Sequence, residues 1–185
     1  MLIDHKREKL LNAIVYFLKN TKHCGKTKIF KLLYFLDFLH FKETAQSVTG
    51  LRYSAWDNGP APADLFQELK CPEEDFEKCI FVPKDTGPGE FFGMKPKQRF
   101  DDTHFSERQL RLLEELAFIF KEVQADDIVE VSHLPNQPWD KTIKTKGLGA
   151  EIDYFLAIDD TDRSLSLEEV KERVQEIQEI ESLLR

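Results

Sequence analysis

The sequence predicts a mainly α protein: a compact multi-helix domain with a small β element and a C-terminal amphipathic helix. Three observations carry this. Apolar residues recur at helical spacing near both ends of the chain and again around residues 110–120. The segment Lys28–Lys42 has ten apolar residues in fifteen, a density that leaves almost no polar face and marks a helix central to a core. Short apolar runs broken by Gly and Pro, at 48–62 and 79–94, are too brief for helices and suit two or three short strands or a hairpin.

In chain order, Asp4–Asn20 places Leu10, Leu11, Ile14, Val15, Phe17 and Leu18 on one side of an amphipathic helix. After the polar stretch Asn20–Gly25, Thr27 is positioned to cap a second helix that runs to about Lys42. Val48–Trp56 alternates in part and reads as extended, and Asp57-Asn58-Gly59-Pro60 has turn chemistry. A short helix is expected over Ala63–Lys70. Cys79–Val82 and Glu90–Met94 are expected as two small strands joined by Pro83–Gly89. Ser106-Glu-Arg-Gln109 is a capping box that opens a helix with Leu110, Leu113, Leu116, Ala117 and Phe120 on its apolar face. Ala125–Leu134 reads as a helix stopped before Pro135, Gly147 and Gly149 mark a loop, and Ile152–Ile158 fits either a strand or a helical turn. A second capping box, Ser166–Glu169, starts a terminal helix with Val170, Val174, Ile177, Ile180 and Leu184 on one side. The expectation is six or seven helices, with a domain over 1–160 and an acidic helix over 161–185 that packs on it or on a partner.

A chain of 185 residues is long enough to bury its own core. Cys24, Cys71 and Cys79 are odd in number and lack paired metal-ligand spacing, so they read as reduced thiols of a cytoplasmic protein. No apolar run approaches the roughly 20 residues that span a bilayer, which predicts a soluble protein with no membrane role. The net charge of −8 is unevenly placed: residues 1–31 carry +6 and residues 151–185 carry −7. The acidic end could fold over the basic end, or the two could face different partners.

No complete catalytic or cofactor motif is present. Cys24-Gly-Lys-Thr27 ends like a phosphate-binding loop, but Asn20 stands where its first glycine belongs and a helix precedes it. The five histidines form no metal-binding pair, so neither metal nor cofactor is expected. Asp37 and His40 are three apart on the central helix and bracketed by apolar residues. Such a polar pair is structural, with His40 bonded to Asp37 or to a backbone carbonyl, or it is functional. An enzyme built on Asp37, His40 and His133 would need these side chains to converge on an open pocket. A nucleic-acid-binding regulator would use the Lys-rich N-terminal face, but the acidic pI near 5.2 speaks against it. Trp56 and Trp139 fit either core packing or an interface anchor.

Two blocks of residues carry a family resemblance. The first comprises Lys31, Leu32, Leu33, Tyr34 and Phe35, then His40 and Thr44, then Thr49-Gly-Leu-Arg-Tyr53, Ala55-Trp56 and Gly59-Pro60. The second is Ser132-His133 followed by Pro138-Trp139. In this order they resemble the phage-associated Panacea domain of SocA-like antitoxins, over about residues 26–140. Asn58 departs from the aromatic residue frequent before Gly59 in that family, and Cys71–Phe100 matches no pattern of it. The resemblance implies a non-catalytic antitoxin whose partner is a cognate protein toxin, with nucleic acid an unlikely partner and a homo-oligomer possible. It implies a mostly structural role for the motif residues, leaving the toxin contact to surrounding surface.

Overall fold

The structure is a computed structural model that describes residues 5–83 and 93–183. Its elements are α1 (Lys6–Asn20), α2 (Lys26–Thr44), β1 (Ser54–Trp56), β2 (Gly59–Ala61), α3 (Ala63–Glu68), α4 (Glu74–Cys79), β3 (Ile80–Phe81), β4 (Lys95–Pro96), α5 (Glu107–Ile119), α6 (Ala125–Ser132), α7 (Pro138–Lys146), a 3₁₀ turn (Tyr154–Ala157) and α8 (Leu167–Leu183). The protein is mainly α, as its patterning predicts, with two short antiparallel hairpins, β1–β2 and β3–β4.

Helix α2 is the axis of the fold. It packs against α1, α5, α6, β2 and the 3₁₀ turn, and residues on every side of it are buried, from Ile29 and Phe30 round to Phe38 and Phe41. Gly25 is its N-cap, so Thr27 lies inside the first turn and does not cap. The helix ends at Ala45, whose left-handed conformation (φ 65°) returns its N–H to the Phe41 carbonyl at 2.7 Å. Ala45 and Phe41 then form a small apolar cluster with Val170 of α8.

Several expectations are corrected. Eight α-helices stand among the described residues, because α4 and α7 also form. Both had usable signals: Glu74, Asp75 and Glu77 crowd the first turn of α4, and Pro138 occupies the first turn of α7. Gly59 and Pro60 belong to β2 and not to the turn, since Trp56 pairs with Gly59 and Ala55 with Pro60. Within Ile152–Ile158 the helical-turn alternative holds, as the 3₁₀ turn Tyr154–Ala157, preceded by Glu151 pairing with Ser54. The strand that pairs with β3 is Lys95–Pro96; Glu90–Phe92, Lys84–Gly89, Asp4 and Leu184 lie outside the described residues. Both capping boxes form. Ser106 Oγ accepts from Gln109 N–H, and Ser166 Oγ accepts from Glu169 N–H while Glu169 accepts from Ser166 N–H.

Candidate functional site

Asp37 is fully buried and holds the chain that follows α2. The Val48 and Thr49 N–H groups donate to its Oδ1 at 2.8 and 2.7 Å, and the Thr49 and Tyr53 hydroxyls donate to its Oδ2. Tyr34, Phe38, Tyr53 and Tyr154 surround this point, with Phe38 stacked on Tyr154 at 4.4 Å and Tyr53 edge-on to both Tyr34 and Phe38. Tyr154 closes the shell by donating to the Leu51 carbonyl at 2.6 Å. Burial pushes the Asp37 carboxyl upward against the opposing pull of its four donors.

His40 answers to other partners. Its Nδ1 lies 2.6 Å from the Gln46 carbonyl, which requires Nδ1–H, and its Nε2 faces the Gln109 amide nitrogen at 3.4 Å. Both contacts suit a neutral ring, and burial pushes its pKa down. His40 thereby links the end of α2 to the capping box of α5, whose Gln109 Oε1 accepts from Ser106 N–H. Of the two structural pairings open for His40, the backbone carbonyl is the one made.

The second block closes over the β1–β2 hairpin. Lys31, only 2 % exposed, donates to the Pro60 carbonyl at 2.8 Å. Trp139 Nε1–H donates to the Trp56 carbonyl at 3.0 Å, and the His133 ring stacks on Trp139 with centroids 3.8 Å apart. Gly59 (φ +85°) lets this happen, since a Cβ there would fall 2.6 Å from Ser132 Oγ, 2.9 Å from His133 Nε2 and 3.0 Å from Lys31 Cε. Ser132 Oγ–H donates to the Val129 carbonyl, Pro138 is buried, and Leu32 and Leu33 are core residues. Tyr34 Oη and His133 Nε2 are buried without a hydrogen-bond partner, and burial pushes the Tyr34 phenol upward. Trp56 and Trp139 are half-buried against the core.

The three residues of the enzyme hypothesis are therefore held in different settings: Asp37 by residues 48–53, His40 by Gln46 and Gln109, His133 by Trp139 and Gly59. They do not form a shared reactive center. The Lys-rich N-terminal face is also depleted as an anion-binding surface. Lys28 is buried and donates to the Lys22 and Val123 carbonyls, Lys31 is buried, Arg7 is forked between Glu68 and Asp75, and Lys22 pairs with Glu122. The Arg7 guanidinium also sits within the acidic group Glu68, Glu73 and Asp75, paired with all three carboxylates. An open groove lined by Arg108, Arg111 and Arg163 carries its own counter-charges, with Arg163 bonded to Glu43 and Glu115. Among the described residues, no helix is long and apolar enough to cross a membrane.

Lys31 has a measurable signature. Burial pushes its ammonium down to about 7. Between about 7 and the usual lysine range near 10.4 the native state holds fewer protons than the unfolded chain, so stability rises with pH across that window. Urea unfolding at pH 6.5 and 9.5 is expected to show the wild type gaining roughly 2–3 kcal/mol relative to Lys31→Met. Equal pH responses would show that Lys31 keeps an ordinary affinity for its proton.

The fold and its interior define a helical domain organised on one buried helix whose polar side chains fasten the loops around it. Residues 29–140 match the profile of the Panacea domain of SocA-like antitoxins, and the chain belongs to that family. Neither a curated protein nor a solved structure matches it.

Proposed function

We propose that this chain is a cytoplasmic antitoxin that neutralises a protein toxin by direct, non-catalytic contact. The observation that carries the reading is the family match over residues 29–140. The interior supports it: Lys31, Asp37, His40, Tyr53, Ser132 and Pro138 are buried, and most of their polar atoms are spent on contacts within the chain. In this reading the motif residues build the scaffold, and the toxin meets surface outside the two blocks. Family membership leaves the target open, because one fold serves different partners.

Co-expression with the toxin encoded by an adjacent reading frame tests this. The expected result is restored growth together with a complex that survives co-purification. Continued arrest with no complex would overturn the reading.

A further inference from the structure

The apolar stripe of α8 outlasts the surface that covers it. Val170 is fully buried against Phe41 and Ala45, Val174 and Ile177 are half-buried, and Ile180 and Leu183 are 49 % and 84 % exposed. Every residue from Gln178 to Leu183 is exposed. The helix thus parts from the body along its length while its sequence keeps presenting aliphatic side chains at three- and four-residue spacing. It also lies beyond the residues that match the family.

Charge says what fits there. From Gln175 to Leu183 the helix carries Glu176, Glu179 and Glu181 and no Lys or Arg. None of the three glutamates enters an ion pair among the described residues; the Glu179 carboxylate accepts from the Gln175 amide. A second copy of α8 is a poor occupant. Its basic residues, Lys171 and Arg173, lie on the half already seated on Phe41 and Ala45, so two free halves would bring glutamates against glutamates.

We propose that the free half of α8 is the toxin-docking segment, laying Ile180 and Leu183 into an apolar groove rimmed by Lys or Arg on the toxin. This rests on the antitoxin reading above. The glutamates steer and orient the encounter, and the aliphatic side chains hold the complex.

The test uses the full-length chain and the purified toxin from the adjacent reading frame, titrated by calorimetry at low and high salt. Two variants are compared with the wild type: Ile180→Asp with Leu183→Asp, and Glu176→Lys with Glu179→Lys and Glu181→Lys. All five positions are exposed, so unchanged melting temperatures are expected and confirm intact folding. The proposal predicts binding weakened about ten-fold or more by each variant, with the wild type's affinity falling as salt rises and the lysine variant losing that dependence. Wild-type binding that both variants retain would overturn the proposal and leave the antitoxin reading standing. Absence of wild-type binding would overturn both. A wild-type dimer in sedimentation that the aspartate variant converts to monomer would assign the stripe to a second copy and overturn the proposal.

Discussion

Replacing Asp37 with Ala is expected to cost roughly 3–5 kcal/mol, the larger of the two effects argued here. The substitution removes one side chain and strands four donors: the Val48 and Thr49 amides and the Thr49 and Tyr53 hydroxyls. The hydroxyls can rotate toward other acceptors, but the two amides are fixed by the backbone and buried behind aromatic rings. In a chain of this size the loss corresponds to a melting temperature lower by roughly 10 °C or more. Asp37→Asn should cost only about 1–2 kcal/mol, because its carbonyl still serves the two amides while the hydroxyls turn to accept from its amide group. The variants also carry a pH signature. With the Asp37 carboxyl pushed up by burial, the native state holds its proton more tightly than the unfolded chain. That contribution is complete below the ordinary carboxyl range and is lost as pH rises through the raised native value, and Asp37→Asn abolishes it. Thermal melts of both variants between pH 4 and 8 check the account. An alanine variant within about 1 kcal/mol of wild type would refute the hub.

Gly59→Ala is expected to cost about 2–5 kcal/mol, from two sources. A left-handed backbone at φ +85° is strained for any residue with a Cβ, at roughly 1–2 kcal/mol. The added methyl would also press on Ser132 Oγ and His133 Nε2, which are held by the Val129 carbonyl and the Trp139 ring and have little freedom to withdraw. Only the second source responds to a partner substitution. Ser132→Gly should therefore recover about 1 kcal/mol or more in the double variant, a non-additivity that urea unfolding detects. Strict additivity would place the whole cost in the backbone.

Much of this architecture was legible in residue patterns because it depends on local rules. The stripes of α1, α5 and α8 and both capping boxes are set within a few turns of chain, and the all-round apolarity of α2 announces its central position. The site was legible only in part. Helical spacing puts Lys28, Lys31 and Lys42 on one side of α2, where lysines would ordinarily face water, yet Lys28 and Lys31 are buried. Their aliphatic stems pack in the interior and their ammonium groups reach carbonyls of Val123 and Pro60, 95 and 29 residues away, which no local pattern encodes. Asp37 and His40 are neighbors by helical spacing, but each is satisfied by a loop that spacing does not describe, residues 46–53, and by Gln109 of another helix. The convergence of Lys31, Gly59, Ser132 and Trp139 likewise joins segments far apart in sequence. Family resemblance named these residues, but neither it nor periodicity placed them together.

The antitoxin reading proposed above divides the labour: motif side chains fasten the interior, and the toxin would meet other surface. The most direct measurement is a calorimetric titration of the purified adjacent-frame toxin into wild type and Lys31→Met, whose side chain is 2 % exposed. The account predicts a tight complex with the same affinity for both proteins at pH 8, within about two-fold, since Lys31 spends its side-chain nitrogen on the Pro60 carbonyl. A folded Lys31→Met protein that has lost toxin binding would contradict it, by placing the motif at the contact surface.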